Sequence, residues 1–230
     1  MKKIIIAVMC ILFCFSLLSC SEHDETIDDS KNNIVEFPEG PYVRRSADWN
    51  IYSSATDLTD ESDLVFIGRV TDVEFQVLDM TTALPVSEKT ENFAKELYTI
   101  YTVEVLSSYK GDTSSISKIR VMGGMVGYEV EEQLAVMEEG EAYNRENGIP
   151  IWDDHQKVQC EVGGSYLFVL KQFDTGYPTI INLEQAIYAL DDPAQKRTVG
   201  DSVNDIISVF GKDAWSSFTE KWTTGEYAAK

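Results

Sequence analysis

Ser62–Leu78 reads SDLVFIGRVTDVEFQVL, and its two halves differ in period. Leu64 to Ile67 is an unbroken apolar run, as in a strand covered on both faces. Val73, Phe75 and Val77 alternate with Glu74 and Gln76, as in a strand buried on one face. Gly68 stands near the join, where a glycine is expected to mark a bulge or the sharp coiling that closing a small barrel requires. Just upstream, Ser53 to Glu61 is polar with Ala55 and Leu58 three apart. That spacing predicts a short helix capped by Ser53 or Ser54.

Downstream, a polar excursion from Thr81 to Glu96 leads into LYTIYTVEVLSSYKGD (97–112). Here Tyr101, Val103 and Val105 alternate with Thr102 and Glu104, and Lys110-Gly111-Asp112 turns the chain. ISKIRVMGG (116–124) predicts a third strand, in which Ile119 and Val121 flank Arg120, ending at a glycine pair. VGGSYLFVLKQF (162–173) gives a turn at Gly163-Gly164 and a fully buried strand from Tyr166 to Leu170. YPTIINLEQAIYAL (177–190) gives a last strand or strand pair around Ile180, Ile181, Ile187 and Tyr188. Residues 125–159 form a long connection with seven glutamates set around Leu134, Val136 and Met137, expected to be part helical. A connection of that length is uncommon unless it carries function or its own structure. In the tail, Val203, Ile206, Ile207 and Phe210 line one helix face with Asp201 or Ser202 as N-cap, and Trp215, Phe218 and Trp222 predict a second helical piece.

The fold class expected is therefore mainly β with flanking helices. It comprises a five-stranded OB-like Greek-key barrel over 47–192, interrupted by the insertion 125–159, and a C-terminal helical extension over 193–230. The stretches SDLVFIGRV, YTVEVLSSYKGD, IRVMGG and GGSYLFVL resemble the netrin and tissue-metalloproteinase-inhibitor type of oligonucleotide/oligosaccharide-binding barrel, over roughly Ser62 to Leu190. Bacterial lipoproteins of uncharacterised function carry similar stretches. Family members that inhibit metalloproteases present a disulfide-locked amino-terminal cysteine to the catalytic zinc, and that mechanism does not carry over to a chain without the cysteine or the bridge.

The amino end gives the reason. Lys2 and Lys3 precede the apolar run Ile4 to Leu18, which is too short to span a bilayer comfortably and has the form of a secretory signal. Leu17-Leu18-Ser19-Cys20 resembles the lipobox of bacterial lipoproteins. The resemblance implies removal of residues 1–19 and a lipid on the Cys20 sulfur, with two or more acyl chains giving a stable hold on a membrane. Residues 20–46 are acidic with few large apolar side chains and are expected to be a flexible tether. With Cys10 and Cys14 in the removed peptide, only Cys160 remains, and no intramolecular disulfide is possible.

Removing Lys2 and Lys3 from the 19 basic residues leaves 17 against 39 acidic, a formal charge of −22. Such a surface repels phosphate backbones, so nucleic acid is not an expected partner. Candidate chemistry is sparse. His23 lies in the tether, and His155 lies in WDDHQKVQC, five residues before Cys160, without the paired short spacings that zinc sites prefer. A lone strand-side cysteine is more often a buried small hydrophobe than a nucleophile. No nucleophile elbow, phosphate loop, dinucleotide fingerprint or calcium loop is present, and no cofactor, metal site or catalytic residue is expected. Tyr128, Tyr143 and Trp152 in the long connection form the candidate ligand surface, since aromatic side chains beside a barrel can make a binding face. The reading that results is a lipid-anchored, non-enzymatic binding module for a protein, peptide or glycan. Its alternatives are an inhibitor-like module acting on a secreted protease and an envelope hydrolase using His155 and nearby acids. Deleting Tyr128 to Gly148 is expected to leave a folded barrel.

Overall fold

The computed structural model describes residues 39–114, 116, 118–142, 148–152, 158–194 and 201–228. In chain order these form β1 (Tyr42–Arg45), α1 (Ala55–Glu61), β2 (Leu64–Asp79), a 3-10 turn (Asn92–Ala94), β3 (Lys95–Lys110) and β4 (Lys118–Met122). There follow α2 (Val130–Glu139), β5 (Ile149–Trp152), β6 (Ser165–Lys171), β7 (Thr179–Ile180), β8 (Ile187–Ala189), α3 (Val203–Val209) and α4 (Lys212–Thr223). The molecule is mainly β. A six-stranded sheet has the order β2-β3-β4-β7-β6-β8, and β1 and β5 make a separate two-stranded pair.

The two periods in Ser62–Leu78 belong to one 16-residue strand, β2. β2 pairs antiparallel with β3 along its length, and its first half, Leu64 to Arg69, also pairs antiparallel with β6. Register shifts fall between Ile67 and Gly68 and between Val70 and Asp72, so the strand bends where the glycine predicts. The continuous apolar run reflects cover on both faces. Leu64 and Phe66 join an inner core with Tyr101, Ile119 and Phe168, while Val65 and Ile67 join an outer cluster with Leu167, Val169, Ile206, Ile207 and Phe218. α3 and α4 supply that outer cover. Beyond the bend, Phe75 and Val77 belong to the inner core and their neighbours Glu74 and Gln76 are only half-buried.

The hydrogen-bonded order that leaves β2 through β3 comes back to it through β6. β3 pairs antiparallel with β4, β4 pairs parallel with β7 at Arg120 and Thr179, and β7 pairs antiparallel with the end of β6. β8 lies along the β6 residues Tyr166 to Phe168, so the expected final strand pair is present as two short strands on one edge of β6. The short helix after Ser53 is α1, capped by the Ser54 hydroxyl, which accepts from Asp57 N–H at 3.1 Å. Ser202 caps α3 in a reciprocal box with Asp205, which satisfies two of its amino-terminal N–H groups.

Two stretches differ from the sequence reading. Tyr42–Arg45, at the end of the expected tether, is a strand running parallel to β5, with Tyr42 opposite Ile149 and Arg45 opposite Trp152. The described parts of the 125–159 connection contribute to the core. Met137 of α2 and Ile149 of β5 are fully buried in the inner cluster, and so is Gln133, whose side chain bonds the loop backbone. Removing Tyr128 to Gly148 would therefore open the core, against the expectation of a folded remainder.

The C-terminal segment is latched by charge. Buried Arg69 donates to Glu226 O at 3.1 Å and Ala228 O at 3.3 Å and pairs with Glu104 at 3.2 Å, and the Tyr227 and Ser107 hydroxyls meet at 2.8 Å. Among the described residues no helix is long and apolar enough to cross a membrane. Residues 1–38, which hold the expected signal, Cys20 and most of the tether, lie outside the described set.

Candidate functional site

Strand alternation puts Tyr98 and Ile100 of β3 on the face opposite the inner core, where they pack with Leu78, Met122 and Tyr177. Arg120, read from sequence as the polar residue between Ile119 and Val121, stands on that same face of β4, opposite Ile100 in the register. It is only 6% exposed. Its guanidinium lies over the Tyr98 ring at 5.6 Å and the Phe173 ring at 5.9 Å, and its Nε donates to Tyr177 O at 2.8 Å. Cation–π contacts of this kind stabilise a desolvated guanidinium. Among the described residues no carboxylate pairs with it. Burial pushes the Arg120 guanidinium down from its usual range, though not far enough to remove its charge. Burial also pushes the Tyr98 phenol up to about 12, against the pull of Arg120, so it stays protonated at neutral pH.

Arg120 and Tyr98 line a cleft of about 470 Å³. Trp49, from the segment before α1, and Phe173, from the loop after β6, supply its other aromatic walls. Met80, Met122 and Ile180 add apolar lining. The rim is built in advance of any ligand. Asp79 accepts from Thr81 N–H at 2.8 Å, and that bond is the main reason its carboxyl lies below the usual range. The loop after β2 and the loop after β6 are joined where the Thr175 hydroxyl donates to Thr82 O at 2.6 Å.

Beside that joint, Gly176 has φ +72, and a Cβ there would lie 2.6 Å from Ala83 O. Gly176→Ala is expected to cost at least about 1–2 kcal/mol from the left-handed backbone alone, with further loss from the contact. A thermal melt indistinguishable from the parent would show that the two loops are not locked in this way.

The segment that follows Trp49 is held in place by two side-chain amides. Fully buried Gln185 accepts from Tyr52 N–H at 2.8 Å through Oε1 and donates from Nε2 to Tyr52 O at 2.9 Å. Fully buried Asn182 donates to Asn50 O at 3.0 Å. Two side-chain amides thus treat the segment Asn50–Tyr52 as a neighbouring strand would, satisfying its backbone groups.

Of the aromatic residues expected to form a site, the two that are described, Tyr128 and Trp152, do not line this cleft. Tyr128 is half-buried and packs its ring on Phe75, with centroids 6.1 Å apart. Trp152 is half-buried at the end of β5, packed on the inner core. Tyr143, Cys20, His23 and His155 lie outside the described residues. Cys160 is fully buried, and its backbone N–H reaches the Tyr101 hydroxyl at 3.4 Å. A second hollow of about 580 Å³ lies between the start of β6 and the C-terminal segment, with Glu161, Asp191, Ser165 and Trp222 in its lining. It brings two carboxylates and no buried cation.

The sequence signal for the cleft was a strand face that is apolar where it should be polar. Tyr98, Ile100 and Met122 occupy the outward positions of β3 and β4, and Arg120 is the charged residue among them. The protein-family models compared with the chain give no match, and no curated protein matches it.

Proposed function

We propose that this protein is a lipid-anchored lipoprotein of a bacterial envelope, held outside the cytoplasm by acyl chains on Cys20, and that it acts as a non-enzymatic binding module. Its body is a five-stranded OB-like Greek-key barrel made by β2, β3, β4, β7 and β6, a reading supported by the pairing that returns from β6 to β2. The ligand site is the cleft over β3 and β4, in place of the Tyr128, Tyr143 and Trp152 surface. The observation that carries this reading is a preformed, aromatic-walled hollow of about 470 Å³ with a buried arginine in its lining. Ligand sites are typically concave, largely apolar and furnished with a few fixed polar groups. The polar groups here are the Arg120 guanidinium, the neutral Tyr98 phenol, Lys171, Asp174 and threonine hydroxyls, which suit holding a ligand. A formal charge of −22 on the mature chain disfavours nucleic acid.

Two measurements test the proposal in the full chain. Cys20→Ala is expected to move the protein from the detergent phase to the aqueous phase, and a variant that still partitions into detergent would end the anchor reading. With a photo-crosslinking phenylalanine analogue at position 173 or 222, illumination of envelope membranes is expected to trap a ligand from 173 and not from 222. Equal trapping at both positions, or none from 173, would remove the cleft as the binding site.

A further inference from the structure

We propose that the cleft receives the carboxyl terminus of a peptide whose last side chain is apolar, with Arg120 binding the α-carboxylate. This rests on the cleft being the ligand site. In a chain with 39 acidic and 19 basic residues, almost any cation can find an internal counter-ion, yet Arg120 is 94% buried with no carboxylate partner among the described residues. Asp174, the carboxylate in the cleft lining, makes no ion pair with it. An unpaired charge in such a place is costly, and an anion supplied from outside removes the imbalance. Nε is committed to Tyr177 O, the Tyr98 side chain takes a further hydrogen bond from the guanidinium, and the rings of Tyr98 and Phe173 lie over it, which leaves the remaining Nη N–H groups for a planar, two-oxygen acceptor. Lys171, also in the lining, adds a second positive charge.

The rest of the lining favours a peptide over an acidic sugar. Met80, Met122 and Ile180 offer adaptable apolar surface for a terminal Leu, Met or Phe. A sugar needs many hydrogen bonds, and two hydroxyls of the lining already have their protons committed: Thr175 donates to Thr82 O, and Thr179 donates to Arg120 O at 3.1 Å.

The test is calorimetric titration of the full chain in uncharged detergent with acetyl-Ala-Ala-Leu carrying a free carboxyl, with its carboxamide, and with a galacturonate trisaccharide. The free acid is expected to bind about 10- to 100-fold more tightly than the amide, the range for a hydrogen bond to a charged group. Arg120→Gln should reduce that preference to within about twofold, and Arg120→Lys, which keeps the charge without the fork, should retain part of it. The acid-to-amide comparison is made on the parent protein, so it stands even where a variant folds poorly. Equal affinity for acid and amide would sink the carboxylate assignment while leaving the cleft as a binding site. Arg120-dependent binding of the trisaccharide in place of the peptide would overturn the peptide assignment. No binding of any probe, with crosslinking from position 173 intact, would discard this inference alone, whereas loss of both would discard the cleft.

Discussion

Gln133→Leu is expected to destabilise the folded chain by about 2–5 kcal/mol, through hydrogen bonding and not through volume. The side chain is fully buried. Its Oε1 accepts from Met125 N–H at 2.9 Å, and its Nε2 donates to Met125 O at 2.9 Å and to Tyr128 O. Leucine fills similar space but leaves these backbone groups without partners, and each buried group so stranded costs about 1–3 kcal/mol. The chain is shaped around this amide, since a Cβ at Gly124 would lie 2.1 Å from Gln133 Oε1 and 2.4 Å from Ile149 Cγ2. Chemical denaturation of the full chain measures the effect. A loss under about 0.5 kcal/mol, the range of ordinary surface substitutions, would show that the amide does not organise the turn into α2.

Phe168→Ala should cost about 3–5 kcal/mol, the usual toll of deleting a buried aromatic ring. Phe168 is fully buried, with its ring centroid 5.3 Å from that of Phe66 and 6.1 Å from that of Tyr166. Its backbone belongs to β6, which bonds β2 on one edge and β7 and β8 on the other. The ring therefore closes the inner core at the strand where most pairings meet, and little around it can collapse into the void. Val162→Ala, at a site 54% exposed in the turn before β6, is the control and should change stability by less than about 0.5 kcal/mol. Similar losses for the two variants would mean that the inner core does not depend on this ring.

Period and punctuation made the long strands readable from sequence. β2, β3, β4 and β6 follow alternation or continuous apolar runs, and Gly68 marks a real change of register. β1 and β5 were not readable. Each is four residues long, one contains two arginines and the other a proline, and the partners lie in distant parts of the chain. Local pattern carries no information about such a pairing. The long acidic connection was rightly read as part helical, but its buried residues are split between Gln133 and Met137 on α2 and Ile149 on β5, and a glutamine gives no sign from sequence of facing a core. The cleft was hidden for a related reason. Its walls come from Trp49, Met80, Tyr98, Arg120 and Phe173, five separate places brought together only by the topology. Arg120 in particular has the local pattern of an ordinary solvent-facing strand residue, and only the packing of Tyr177 and Phe173 over that face makes it a buried cation.

The clamp of Gln185 and Asn182 on Asn50–Tyr52 bears on the order in which the molecule can be assembled. Tyr52 and Gln185 are 133 residues apart, and β1 likewise waits for β5. A chain made from its amino end exposes Trp49 and Tyr52 long before the groups that hold them exist, because contacts of large sequence separation form late. During synthesis, that segment needs shielding until its partners exist. A stall before Gln185 leaves it with neither clamp nor cleft, available to chaperones, proteases or other nascent chains.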